Sequence, residues 1–186
     1  MACIGKIAAS LAMPCGAPAN ADLSAPVSAK LLNAEDIASF TVASGSMATI
    51  TRKPTAVGYD VTTVNNSLVV TVGLKSQDIM PGAYDVSITF KSFSGSYSIA
   101  SSSAPRGVVG TMERAELVIA VDRGDRIRVY GLGAPLVCTE IAADSSASAN
   151  MTYTFGVEDW QVGTTAHYLS KADYDALSTP APTPGA

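Results

Sequence analysis

Apolar positions along the chain recur mostly with a period of two, the spacing that sends successive side chains to opposite faces of a β-strand. Ala83 to Phe93 shows it most clearly. Tyr84, Val86, Ile88 and Phe90 fall on one side and Asp85, Ser87, Thr89 and Lys91 on the other, just after the turn chemistry of Pro81-Gly82. Earlier strands are expected at Ala29 to Asn33, Ala38 to Ala43 and Met47 to Arg52, separated by the polar Ala34-Glu35-Asp36 and by Ser44-Gly45-Ser46. In the second of these, Ser39, Thr41 and Ala43 alternate with Phe40 and Val42, which reads as a half-buried strand. Val57 to Val64 and Ser67 to Leu74 flank Asn65-Asn66, a dipeptide that tolerates the left-handed conformations of a tight turn, so the two are predicted to form a hairpin.

Between Ser92 and Ser103 the chain is Ser-rich and almost uncharged, and reads as a loop or as a segment ordered only against a partner. A helix is predicted over about 104–114, opening at Ser102 or Ser103 with Pro105 in its first turn, where a missing N–H costs nothing. Val108, Val109, Met112 and Ala115 would share the face that packs on a sheet. Strands follow at Glu116 to Asp122 and Arg126 to Tyr130, around Arg123-Gly124-Asp125, and at Pro135 to Ala142 and Met151 to Asp159, around Asp144 to Asn150. The expected fold is therefore mainly β, a sandwich or barrel of eight or more strands with one packed α-helix. Residues 1–27, rich in Ala, Gly, Pro and Ser, read as an extended arm, 28–170 as the β domain, and 171–186 as a partly flexible tail.

Composition narrows the function more than the fold. The 47% hydrophobic content in 186 residues is enough for one core, and with only 15% charged residues it argues against disorder. Twelve Lys and Arg against sixteen Asp and Glu leave a net charge of -4, opposite to the basic stripe a duplex-DNA binder needs. The nearest approaches to one are Arg52-Lys53 and the set Arg123, Arg126 and Arg128; the latter alternates with Asp122 and Asp125 and reads as a solvated hairpin. Cys3, Cys15 and Cys138 are odd in number and lack paired CxxC spacing, which fits a reducing compartment. Pairing of Cys3 with Cys15 stays open. The first 21 residues imitate a secretory signal, with Lys6, the apolar Ile7 to Met13 and Ala19-Asn20-Ala21, but Pro14 and Pro18 interrupt a short apolar core and the segment is expected to be retained. No stretch reaches the length of a membrane-spanning helix.

Candidate chemistry is sparse. His167 is the sole histidine, so one chain cannot supply a three-histidine metal site, and it sits in Thr164-Thr165-Ala166-His167-Tyr168 without a nucleophile elbow or an HExxH pair. Glu158 and Asp159 are adjacent and would point to opposite faces of a strand, which is wrong for a shared acid–base pair. Gly131-Leu132-Gly133 lacks the third glycine and following helix of a dinucleotide loop and reads as a turn. Arg123-Gly124-Asp125 matches the integrin-recognised tripeptide, although its glycine has a local reason in a two-strand turn. Trp160, with Tyr153, Phe155 and Tyr168, forms either a core cluster or an interface anchor, the core being the first expectation. No catalytic, cofactor-binding or metal-ligating residue is assigned, no cofactor is expected, and a non-enzymatic role follows.

Several stretches in sequence order resemble the major tail (tail-tube) proteins of siphophages, in particular those of Bacteroidetes-type hosts. These are the Cys-containing segment from Cys3 to Cys15, Asn33-Ala34-Glu35-Asp36-Ile37-Ala38-Ser39 after a strand, Gly58-Tyr59, Asn66-Ser67, Ala115 to Val121, Arg128 to Gly133, and Pro135-Leu136-Val137. The resemblance implies a virion structural protein, assembled in the bacterial cytoplasm, whose copies form hexameric rings stacked into a tail tube. Its implied partners are copies of itself, other tail proteins and genomic DNA that passes through the lumen without specific binding; no membrane is involved. An acidic wall would repel phosphates and let DNA slide. Ser67 to Leu74 with its partner strand, and the arm 2–27, are nominated by position to bridge subunits. Two other readings remain: another virion component (tail terminator, head-completion or capsid decoration protein), and a secreted β-sandwich adhesin.

Overall fold

A computed structural model describes residues 28–43, 46–61, 63, 67–74, 84–93, 112, 115–123, 126–144, 150–157 and 166–182. The fold is mainly β, with eleven strands and one α-helix among these residues. The strands are β1 Ser28–Asn33, β2 Ile37–Val42, β3 Ala48–Arg52, β4 Tyr59–Val61, β5 Val69–Leu74, β6 Tyr84–Phe93, β7 Glu116–Asp122, β8 Ile127–Tyr130, β9 Leu136–Asp144, β10 Asn150–Gly156 and β11 His167–Leu169. The helix α1 is Lys171–Ala176, and a 3-10 turn, Ala34–Asp36, joins β1 to β2.

The centre of the architecture is β7. Its Leu117 to Val121 are all buried, as an uninterrupted apolar run demands when both faces of a strand are covered. Leu117, Ile119 and Val121 point into one core with Ala29 and Leu31 of β1, Val86, Ile88 and Phe90 of β6, and Met151, Tyr153 and Phe155 of β10. Phe90 anchors this core, its ring centroid 5.6 Å from Tyr153 and 5.8 Å from Phe155. The alternate residues Val118 and Ala120 point the other way, into a second core with Leu32, Ala48, Ile127, Val129, Leu169, Tyr174 and Leu177.

Two layers of strands thus sandwich the first core. β7 pairs with β1 along its whole length on one edge, and β1 pairs in turn with β4. On its other edge β7 meets β8 through Ile119–Asp122 and β9 through Glu116 and Leu117. From there β9 leaves to pair with β10, β10 with β6, and β6 with β5, so the sheet folds over at the β7–β9 contact. The corner depends on residues 131–135. Gly131 and Gly133 adopt φ of 89° and 84°, a region that favours glycine, and a Cβ on Gly131 would lie 2.7 Å from the Leu117 carbonyl.

The mainly β fold is as expected, and so are several of its strands. The β6 alternation is as read, with Val86, Ile88 and Phe90 buried between more exposed neighbours. β7 and β8 pair around Arg123 to Arg126, and β9 and β10 pair with each other. The helix expected over 104–114 lies outside the described residues except for Met112, which is buried in the first core beside Ala115.

Two expectations are corrected, and a third falls partly outside the described residues. The hairpin predicted around Asn65-Asn66 has its turn outside the described residues; of its arms, Tyr59–Val61 pairs with Ala29–Leu31, and Val69–Leu74 pairs with β6. The β1–β4 register sets Lys30 opposite Asp60, at 2.7 Å between Nζ and Oδ1. β2 is not half-buried, because it pairs only with β3 in a separate two-stranded ribbon, and Phe40 and Val42 stay exposed. Finally, the segment from 171 is no loose tail as far as Pro182. Ser170 caps α1, accepting from the Asp173 N–H at 3.1 Å, and Tyr174, Leu177 and Ala181 are buried.

Polar contacts fasten this strap. Arg52 donates from Nη1 to the carbonyls of Ala56, Leu177 and Thr179 and from Nη2 to that of Ala176, at 2.8–3.0 Å. A guanidinium at the end of α1 adds donors to carbonyls there, beside the Gly58 and Thr179 N–H groups that bond Leu177 and Ala176. Burial holds Arg52 below its ordinary pKa. Ser178 bonds both Lys30 and Asp60, and Ser28 shares a 2.9 Å hydrogen bond with the Tyr174 hydroxyl. Burial outweighs that last bond and pushes the Tyr174 phenol up to about 12.

Candidate assembly surface

Two strand edges stand apart from the packed body. β5 closes one end of the large sheet, and among the described residues its outer edge has no neighbour. Its sequence, Val-Val-Thr-Val-Gly-Leu, carries no charge and no proline. Val70 lies opposite Ile88 and packs against the first core, whereas Val69 and Val72 are 54% and 46% exposed. A Cβ added at Gly73 would meet nothing within 4 Å, so the strand borders open space. Charges and prolines are the usual guards of an exposed edge, and β5 has neither.

The second edge belongs to the ribbon. Register pairs Phe40 with Ile50 and Val42 with Ala48 on one face, and Thr41 with Thr49 and Ser39 with Thr51 on the other. Ala48 and Ile50 pack into the second core, which seats β3 on the body. β2 is carried outward by that seating, so Phe40 (39% exposed) and Val42 (42% exposed) overhang. Beneath the overhang lies a depression of about 420 Å³. Consecutive residues Ile37 to Phe40 line one bank, Gly131 to Gly133 and Pro135 the other, and Val118 and Leu132 contribute from the second core. None of the described residues that line it carries an ionisable side chain.

Elsewhere the residues singled out by sequence serve the fold. Arg52 is spent on backbone carbonyls, which leaves no guanidinium there for phosphate. Arg126 and Arg128 are not merely solvated: each guanidinium carbon lies 5.9 Å from the centre of the Tyr168 ring. Arg126 borders an open depression of about 550 Å³ with Met47, Asp122, Ile127, Tyr168 and Lys171. Lys171 bonds Asp175 at 2.8 Å and Asp122 at 3.3 Å, and its pKa is raised chiefly by the Asp175 hydrogen bond. Tyr153 and Phe155 join the first core as expected, but Tyr168 sits apart on β11.

His167 is half-buried on β11 opposite Val129, and its Nδ1 has no hydrogen bond among the described residues. Gly131-Leu132-Gly133 is a turn. Cys138 carries a thiol packed against the first core, its Sγ 3.5 Å from the Glu140 carbonyl oxygen. Cys3, Cys15, Gly124, Asp125, Glu158, Asp159 and Trp160 lie outside the described residues, as do the arm 2–27 and the Ser-rich stretch beyond Phe93. Among the described residues no cluster of His, Cys, Asp or Glu is spaced to hold a metal ion, and no helix is long and apolar enough to cross a membrane.

Sequence reasoning nominated β5, yet missed the overhanging ribbon. The clue it had was that Phe40 and Val42 alternate with Ser39 and Thr41, but periodicity does not tell a covered face from an uncovered one. No protein-family model matches the chain, and no curated protein or solved structure is significantly similar to it.

Proposed function

We propose that this chain is a structural virion protein whose copies assemble into stacked rings forming the tube of a phage tail, with DNA passing through the lumen. The observation that carries this reading is the exposed, uncharged edge strand Val69–Leu74 at one end of the large sheet. Such an edge is a hazard in a protein that works alone and an asset in one that joins its own kind. The acidic balance of the chain, -4 overall, agrees with a wall that DNA slides past. The resemblance in sequence order to tail-tube proteins adds the hexameric ring and the stacking.

Negative-stain electron microscopy of the full-length protein across a concentration series tests the reading. Rings or stacked tubes with a central lumen are expected. A protein that stays monomeric at every concentration would overturn it and favour a secreted binder, while trimers without a lumen would favour a capsid decoration protein.

A further inference from the structure

The β5 edge and the slot under Phe40 have matching properties. Each is bordered by a six-residue strand, Val69–Leu74 in one case and Ile37–Val42 in the other. At roughly 3.4 Å per residue β5 runs about 20 Å, and the four β2 residues that line the slot, Ile37 to Phe40, run about 14 Å. Neither β5 nor the described lining of the slot presents an ionisable side chain. Four consecutive residues of β2 border the slot, so it is the strand's edge, with its alternating N–H and C=O groups, that faces the space. The opposite bank is a glycine-containing turn, where small residues let another backbone approach. A ribbon of two strands is marginal by itself in water, and β2 has only β3 beside it among the described residues.

We infer that β5 of one copy adds to the β2 edge of the next, with Val72 entering the slot beneath Phe40. Resting on the self-assembly reading above, this goes further by naming the surfaces that meet. Strand addition satisfies the backbone groups of both edges at once, and the uncharged slot takes the exposed valine without desolvating a charge. Because the two surfaces differ, the contact is head-to-tail: each copy offers one β5 and one slot. Repetition of such a contact closes into a ring or runs on as a filament.

A pair of charge substitutions at exposed positions tests the contact. Val72→Lys and Phe40→Asp are each followed by sedimentation velocity over a concentration series, with far-UV circular dichroism to confirm the fold. Wild type should assemble, whereas each variant alone should need more than about tenfold higher concentration, the equivalent of about 1.4 kcal/mol. An equimolar mixture should assemble again. In alternating order every contact is then either native or joins the introduced lysine to the introduced aspartate, so both variants find a partner. Variants that assemble as wild type does would overturn the contact while leaving self-assembly standing. So would a mixture that stays dispersed, and loss with Val72→Lys but not with Phe40→Asp would point to β5 pairing with β5. A wild type that never assembles would defeat both this contact and the functional reading beneath it.

Discussion

Leu117 to Val121 and Val69 to Val72 are both short runs of mainly β-branched or aliphatic residues, and their structural fates are opposite. β7 is flanked on both edges and buried on both faces, with Ile119 fully inaccessible. β5 has one neighbour among the described residues and shows two of its valines to solvent. The same composition therefore serves folding in one place and leaves surface for association in the other. What separates them is the position of the strand in the sheet, and that is set by the partners that arrive on either side.

Substitutions can sharpen the contrast. Ile119→Ala removes buried methyl groups from the first core and should cost about 2–5 kcal/mol in urea unfolding, while Val69→Thr on β5 should change stability by less than about 0.5 kcal/mol. Comparable costs at the two positions would break the distinction. Next in size is Arg52→Ala, which removes the guanidinium's hydrogen bonds to the carbonyls of Ala56, Ala176, Leu177 and Thr179. It should cost about 2 kcal/mol, expose the strap after residue 170 to limited proteolysis, and not be rescued by Arg52→Lys, because an ammonium cannot span the same carbonyls.

The smallest effect is one of pH. Tyr174 has its phenol raised from an ordinary 10 to about 12 by burial. Between those values the unfolded chain releases a proton that the folded chain retains. The contribution is fully present below pH 10 and is lost as the pH climbs towards about 12. Tyr174→Phe should flatten this alkaline decline in thermal melts; an unchanged decline would mean that the strap does not hold the phenol out of water.

Much of this organisation was legible in the residues. Alternation located β6, and an unbroken apolar run bounded by Glu116 and Asp122 located β7, because both patterns report burial directly. Pairing was less accessible. Asn65-Asn66 carries turn chemistry, but turn chemistry does not foretell that an edge of β4 pairs with β1, where Lys30 and Asp60 meet Ser178. The helix α1 escaped notice because six residues are too few to show a helical period, although Ser170 with Asp173 three residues later is a capping signal. The assembly surface was half legible. β5 stood out as an uncharged strand, whereas the exposure of Phe40 arises from how β3 is seated and has no signature in the local sequence.

Hydrogen–deuterium exchange followed by mass spectrometry, on the full-length protein at dilutions above and below the assembly threshold, addresses the central claim most directly. Self-association through strand edges should slow exchange in 69–74 and 37–42 on concentration and leave the already protected 117–121 unchanged. Equal exchange in 69–74 and 37–42 at every concentration would contradict it.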